Sequence, residues 1–219
     1  MKFNARTLQI LRNFSTINQS IVFKPGTRLT TLSPTKSVMA RATVETEFES
    51  SFAIFDLPNL LGALTLFEDP ELSASSQVLE IREGGRRMNY MLADLSLVVE
   101  PPSKDVDLPS PEVQFTLKSD EFSRLMKALA VIGTPQLAVT GDGETMYFET
   151  HNAKNPSEST YRVEVGKTDK KFKLIFLAEN IKLMPGDYEV QISSRGLSHF
   201  KGVDIEYWIA VEHTSTYEG

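Results

Sequence analysis

Asn4-Ala-Arg-Thr-Leu-Gln-Ile-Leu-Arg-Asn-Phe-Ser-Thr-Ile17 is the stretch whose reading decides the fold, because Lys118-Ser-Asp-Glu-Phe-Ser-Arg-Leu-Met-Lys-Ala-Leu-Ala-Val-Ile132 repeats its pattern in the other half of the chain. At a period of 3.6 residues, Leu8, Ile10, Leu11, Phe14 and Ile17 form one face of the first. Arg6, Gln9, Arg12, Asn13 and Thr16 form the other, and no acid interrupts them. In the second stretch Phe122, Leu125, Met126, Leu129 and Ile132 make the apolar stripe and leave Ser123, Arg124 and Lys127 outward, with Val131 an exception on the polar side. Ser119 is the expected N-cap, and Asp120 and Glu121 complement the helix dipole in the first turn.

Working outward, both halves continue in the same order. An aromatic-apolar strand over 52–55 runs into a short helix over 56–67, and a strand over 172–176 runs into one over 178–184. Asp56 caps the former, Pro58 fits its first turn, and Pro185-Gly186 stops the latter. Alternation and β-branched or aromatic enrichment predict further strands over 43–48, 78–82, 87–92, 137–140, 146–150, 160–165, 188–193 and 203–211. Turns fall at Lys24-Pro-Gly26, Glu83-Gly-Gly85, Gly141-Asp-Gly143 and Arg195-Gly196. The two glycine pairs are hairpin turns and not phosphate loops, since neither runs into Gly-Lys-Ser/Thr or opens a helix. Between the halves, Glu100-Pro-Pro-Ser-Lys-Asp-Val-Asp-Leu-Pro-Ser-Pro-Glu112 holds four prolines and reads as a semi-stiff connector. The expected fold class is therefore α+β, a tandem repeat with domains over 1–100 and 113–219 and a connector over 101–112.

Composition narrows the function. Of the 219 residues, 41% are apolar and 24% charged, as in ordinary globular proteins. No apolar run reaches the roughly 18 residues needed to span a bilayer, and the start of the chain lacks the pattern of a secretory signal. These features predict a cytoplasmic protein. Zero cysteines exclude disulfides, thiolate metal sites and a cysteine nucleophile. His151, His199 and His213 are too scattered for a zinc site. No catalytic residue, metal or cofactor is expected. Glu45 and Glu47 alternate with Val44, Thr46 and Phe48 on a strand, where a solvated outer face explains them better than paired-carboxylate hydrolysis. The net charge of −6 would repel nucleic acid at long range. With a Debye length of about 8 Å at physiological salt, however, a basic lining acts locally while acids sit elsewhere. A solvated face is the ordinary reading of one basic helix; its repetition in both halves favours a surface that faces nucleic acid.

Several stretches, in order along nearly the whole chain, resemble the DNA sliding clamps of T-even-like tailed phages. They are Leu11-Arg-Asn-Phe-Ser-Thr-Ile-Asn18, Ile54-Phe-Asp-Leu57 with Leu61-Gly-Ala-Leu-Thr-Leu66, Ala93-Asp-Leu-Ser-Leu-Val-Val99, Lys182-Leu-Met-Pro-Gly-Asp-Tyr188 and Tyr207-Trp-Ile-Ala-Val-Glu212. The resemblance implies a non-enzymatic processivity factor that encircles duplex DNA and tethers the replicative polymerase. It implies a homotrimeric ring, with helices lining the pore and antiparallel sheets outside. On that basis Lys2, Arg6, Arg12, Arg124, Lys127 and Lys182 are expected to meet DNA phosphates, with Gln9 and Asn13 as weaker contacts. A departure from the family is that the helix over 56–67 carries no cation.

The resemblance also implies ring closure between the strand over 87–92, through Arg87, Met88, Tyr90 and Leu92, and the strand over 160–165 of the next subunit, through Tyr161, Val163 and Val165. Arg86 or Arg87 is expected to pair with Glu158 or Glu164. Val106 and Leu108 either pin the connector to the sheet beneath or border a groove for partner peptides, and the two readings are compatible. With no Walker motif in the chain, the energy for opening is expected from another protein, which the resemblance implies is an ATP-driven clamp loader. The C-terminal peptide of the DNA polymerase is the expected client, and the resemblance adds late-transcription factors. The alternative from another class is a duplicated β-rich phage structural or assembly subunit with no role in tethering to DNA.

Overall fold

A computed structural model describes residues 1–102, 106–155 and 157–218. The chain divides into two compact units, Met1–Lys104 and Asp105–Gly219, each α+β.

The first unit runs α1 (Ala5–Ser15), β1 (Ile21–Phe23), β2 (Gly26–Leu32), β3 (Val38–Phe48), β4 (Phe52–Ile54), α2 (Leu57–Leu64), β5 (Glu71–Ala74), β6 (Val78–Glu83) and β7 (Arg86–Met91). The side chain of Asn4 accepts the Thr7 N–H at 2.8 Å and starts α1. The helix then buries Ile10, Leu11 and Phe14. It ends earlier than Ile17, because the Ser15 and Thr16 hydroxyls donate to the carbonyls of Arg12 and Asn13. β2 and β3 pair as an antiparallel hairpin, β1 pairs with β4, and β5, β6 and β7 form an antiparallel meander with β7 at its edge. Phe23 anchors the core, stacked on Phe52 at 4.5 Å and tilted against Phe48 at 5.0 Å. Asp56 caps α2 by accepting the Asn59 N–H at 2.9 Å. The expected extension to Phe67 does not form. The N–H groups of Thr65, Leu66 and Phe67 each bond three residues back, which tightens the chain into turns.

The second unit runs β8 (Val113–Leu117), α3 (Ser119–Ile132), β9 (Gln136–Asp142), β10 (Thr145–His151), β11 (Arg162–Lys167), β12 (Lys171–Leu177), β13 (Tyr188–Ser193), β14 (Leu197–Lys201), β15 (Ile205–Ala210) and β16 (Thr216–Glu218). One sheet has the order β11-β10-β9-β12-β16, and β8, β13, β14 and β15 pair in a second antiparallel run. Phe176 stands between Phe148 and Phe200 at 6.4 and 6.1 Å, edge to face. On β14 and β15, His199 stacks on Trp208 at 4.6 Å and its Nε2 lies 2.8 Å from a Glu206 carboxylate oxygen.

Three expectations are corrected in this unit. Ser119 is not the cap of α3: Lys118 takes that position without a side-chain bond, and Asp187 accepts the Ser119 N–H at 2.8 Å and pairs with the Lys118 ammonium at 2.8 Å. The helix expected over 178–184 is a single 3-10 turn, Ala178–Asn180. Beyond it the Met184 N–H donates to the Tyr207 hydroxyl at 3.1 Å and the Tyr188 hydroxyl donates to the Met184 carbonyl at 2.7 Å, so buried tyrosines replace helical hydrogen bonds. The strands expected from 160 and 203 begin at Arg162 and Ile205, with Val203 fully exposed in the preceding turn.

Candidate nucleic-acid interface

The two long helices turn cations outward for the same reason. α1 packs its apolar stripe on β3 and α2, which leaves Gln9 and Arg12 exposed, with Arg6 and Asn13 half-buried at the margin. α3 packs on β10 and β11 and leaves Ser123, Arg124 and Lys127 exposed. Arg124 lies 4.0 Å from Asp120 one turn earlier, a solvated i,i+4 pair worth a few tenths of a kcal/mol. Val131, which breaks the pattern, is 87% exposed.

Lys2 and Lys182 differ from these. Lys2 precedes α1, and its ammonium donates to Asp69 at 2.5 Å. That bond is the main reason its pKa is raised above the ordinary lysine value. An acid already holds this cation, so it meets phosphate only by exchanging partners. Lys182 sits half-buried in the loop after the 3-10 turn and not on a helix, because the helix expected there does not form. α2 presents Pro58, Asn59 and Gly62 to solvent and carries no cation.

The two strands expected to close a ring are both sheet edges. β7 ends the meander, and β11 ends the five-stranded sheet. On β7, Met88 and Tyr90 are half-buried while Arg87 is exposed. The Tyr90 hydroxyl donates to the Asp56 carbonyl at 2.9 Å. Leu92 lies just past the strand, its N–H donated to Gln77. On β11, Val163 is buried and Val165 half-buried; Tyr161 precedes the strand but still exchanges bonds with Thr150. A bulge between Met146 and Tyr147 bends this edge. The expected ionic partners have local engagements: Arg86 with Glu83 at 3.4 Å, Glu164 with Lys167 at 2.9 Å, and Glu158 with Asn152 at 2.6 Å.

Val106 and Leu108 are half-buried, whereas the neighbouring connector residues 103–105 lie outside the described residues. Sequence reasoning passed over Phe55 and Met91, which are 65% and 68% exposed. Each lies two residues from the isolated Ala53–Ala93 bridge, and Met91 is the last residue of β7. The available signal was a large apolar residue on the outward side of the alternation. It also missed Glu149, buried on β10 opposite Arg162.

The comparisons with known proteins agree with this geometry. Residues 114–213 match the family model described as gp45 sliding clamp, C terminal. The chain is 32% identical to the sliding clamp of Vibrio phage KVP40, covering 97% of this chain and 99% of that protein. It is 27% identical to the sliding clamp of Enterobacteria phage T4 over the full length of both. The fold superposes on A. fulgidus PCNA bound to the C-terminal region of FEN-1 with a TM-score of 0.72, at 14% identity, covering 95% of this chain and 96% of that one. With full-length similarity to the KVP40 protein and the same architecture as the PCNA clamps, the chain belongs to the sliding clamp family of T4-like phages.

Proposed function

We propose that this sliding clamp works as a closed ring of three identical chains that encircles duplex DNA and tethers the replicative DNA polymerase, without catalysis of its own. In this reading the clamp domains cover 1–100 and 113–219, joined by the connector over 101–112. The observation that carries it is that each unit turns a cation-bearing helix face to solvent, Gln9 and Arg12 on α1 and Arg124 and Lys127 on α3. Phosphate contacts of this kind are independent of sequence and weakened by salt, which is what sliding requires.

Arg6, Asn13, Lys2 and Lys182 complete the lining in this reading, Lys2 by leaving Asp69. The open edges β7 and β11 close the ring, with Arg87, Met88, Tyr90 and Leu92 of one chain against Tyr161, Val163 and Val165 of the next. An open edge is otherwise a template for aggregation, so pairing it serves stability as well as shape. A closed ring cannot thread onto circular DNA by itself, so an ATP-driven loader opens it. The polymerase's C-terminal peptide docks beside Val106 and Leu108, and late-transcription factors are further clients. The site of action is the host cytoplasm.

The test is retention on nicked circular DNA in the presence of loader and ATP. Charge reversal at both Arg12 and Lys127 is expected to leave the mass of the assembly unchanged and to cut polymerase processivity several-fold. Unchanged processivity in the double variant would remove these residues from the lining.

A further inference from the structure

Glu149 is the least expected charge in the second unit. It shares a face of β10 with the half-buried Tyr147 and His151, yet the residue is only 8% exposed. Burial is the main cause pushing its carboxyl above the ordinary glutamate value; Arg162, Lys173 and the Thr140 hydroxyl act the other way. Its Oε2 is fully enclosed. Arg162 Nε stands 3.4 Å away, and among the described residues no group is aligned to hydrogen-bond that oxygen. A carboxylate buried at such a cost is a candidate for a role other than stability.

The groups around it show what it holds. Glu149 pairs directly across the ladder with Arg162, the first residue of edge strand β11. The Arg162 guanidinium lies over the ring of Tyr147, 5.1 Å from its centre, two residues from Glu149 on the same face. Lys173 of β12 and Thr140 of β9 approach from the other side. His151, two residues further along β10, shares Lys173 as a neighbour, and burial followed by that lysine depresses its own pKa. Arg162 is thereby fixed between a carboxylate and an aromatic face, although its side chain is 56% exposed. A solvated arginine has no such constraint unless its orientation matters.

We propose that Glu149 is a positioning residue for ring closure, holding the Arg162 guanidinium flat against Tyr147 so that β11 meets the strand of the next chain with that cation already placed. The proposal rests on β11 being a closing edge. Prior fixation removes the side-chain entropy that a free arginine loses when an interface forms, so the gain appears in assembly and not in the fold of the isolated chain. Protonation of Glu149 releases Arg162, and closure weakens as the solution is acidified towards the range where this carboxyl titrates.

Trimer dissociation is to be measured by analytical ultracentrifugation at pH 7.5 and 5.5 for the wild type, Glu149→Gln and Arg162→Lys, with circular dichroism as the control for folding. The wild type is expected to dissociate more readily at the lower pH. Glu149→Gln should raise the dissociation constant at pH 7.5 about tenfold, the effect of roughly one well-placed charged contact, and should lose most of the difference between the two pH values. Arg162→Lys, which keeps a countercharge beside Glu149 but loses the planar stack on Tyr147, should loosen the ring in the same direction and carries the test alone if Glu149→Gln fails to fold. A folded variant that assembles like the wild type at both pH values overturns the positioning role and leaves the closing edge standing. A wild type that stays monomeric throughout overturns the closing edge itself, and the proposal with it.

Discussion

Gly141, within β9, shows how little room the second core leaves. A methyl group there would stand 2.5 Å from the Phe172 ring and 2.8 Å from the Lys170 carbonyl. The backbone carbonyl cannot yield as a flexible side chain would. Gly141→Ala is therefore expected to cost about 1–3 kcal/mol through overpacking, read as a lower urea midpoint with an unchanged slope. Tyr207 makes a complementary case. Its hydroxyl accepts the buried Met184 N–H, so Tyr207→Phe keeps the ring and orphans the amide. The expected loss is about 1–3 kcal/mol, with faster hydrogen exchange at Met184 as the local signature. Neither contact was visible in the sequence. The pattern Lys182-Leu-Met-Pro-Gly reads locally as a helix ending at its Pro-Gly stop, and Tyr188 just past that stop together with the distant Tyr207 decides otherwise.

Elements whose stability is local were legible, and those that borrow partners were not. α1 and α3 followed from periodicity alone, because burying Leu11 or Leu125 requires only the helix and the surface beneath it. The cap of α3 did not, since Asp187 reaches it from far along the chain. That carboxyl is held below its ordinary value, first by the Lys118 hydrogen bond and then by the Ser119 N–H. A depressed native value contributes stability that is present above the unfolded carboxyl's pKa and lost as pH falls through the native one. Asp187→Asn should accordingly flatten part of the acid limb of a stability profile below about pH 4, monitored by thermal melts, and fray the first turn of α3 at neutral pH. Edge strands fared in between. The alternation in β7 and β11 was readable, but the start of β11 at Arg162, where its ladder with β10 ends opposite Glu149, was not. The proposed lining shows the same division. Arg12, Arg124 and Lys127 emerge where the helical pattern puts them, whereas Lys2 is held by Asp69 and Lys182 has lost its helix.

For the molecule as a whole, a net charge of −6 constrains how DNA is held. Open association with duplex should be weak and fall steeply with salt, because only a local lining opposes the long-range repulsion. A topological link would not share that dependence. Clamps loaded on circular DNA are expected to persist at a salt concentration that abolishes direct binding and to depart when the circle is cut, as followed by gel filtration of labelled protein. Three chains of 24.5 kDa would make an assembly of about 73.5 kDa, and light scattering across nanomolar to micromolar protein is expected to find that mass dominant. The stack of His199 on Trp208 bears on how such experiments can be read. Trp208 is the sole indole in the chain and belongs to the second unit, so its emission is an intrinsic, label-free signal from one half of the protein. Divergence between that signal and circular dichroism during denaturation would reveal the two halves melting separately.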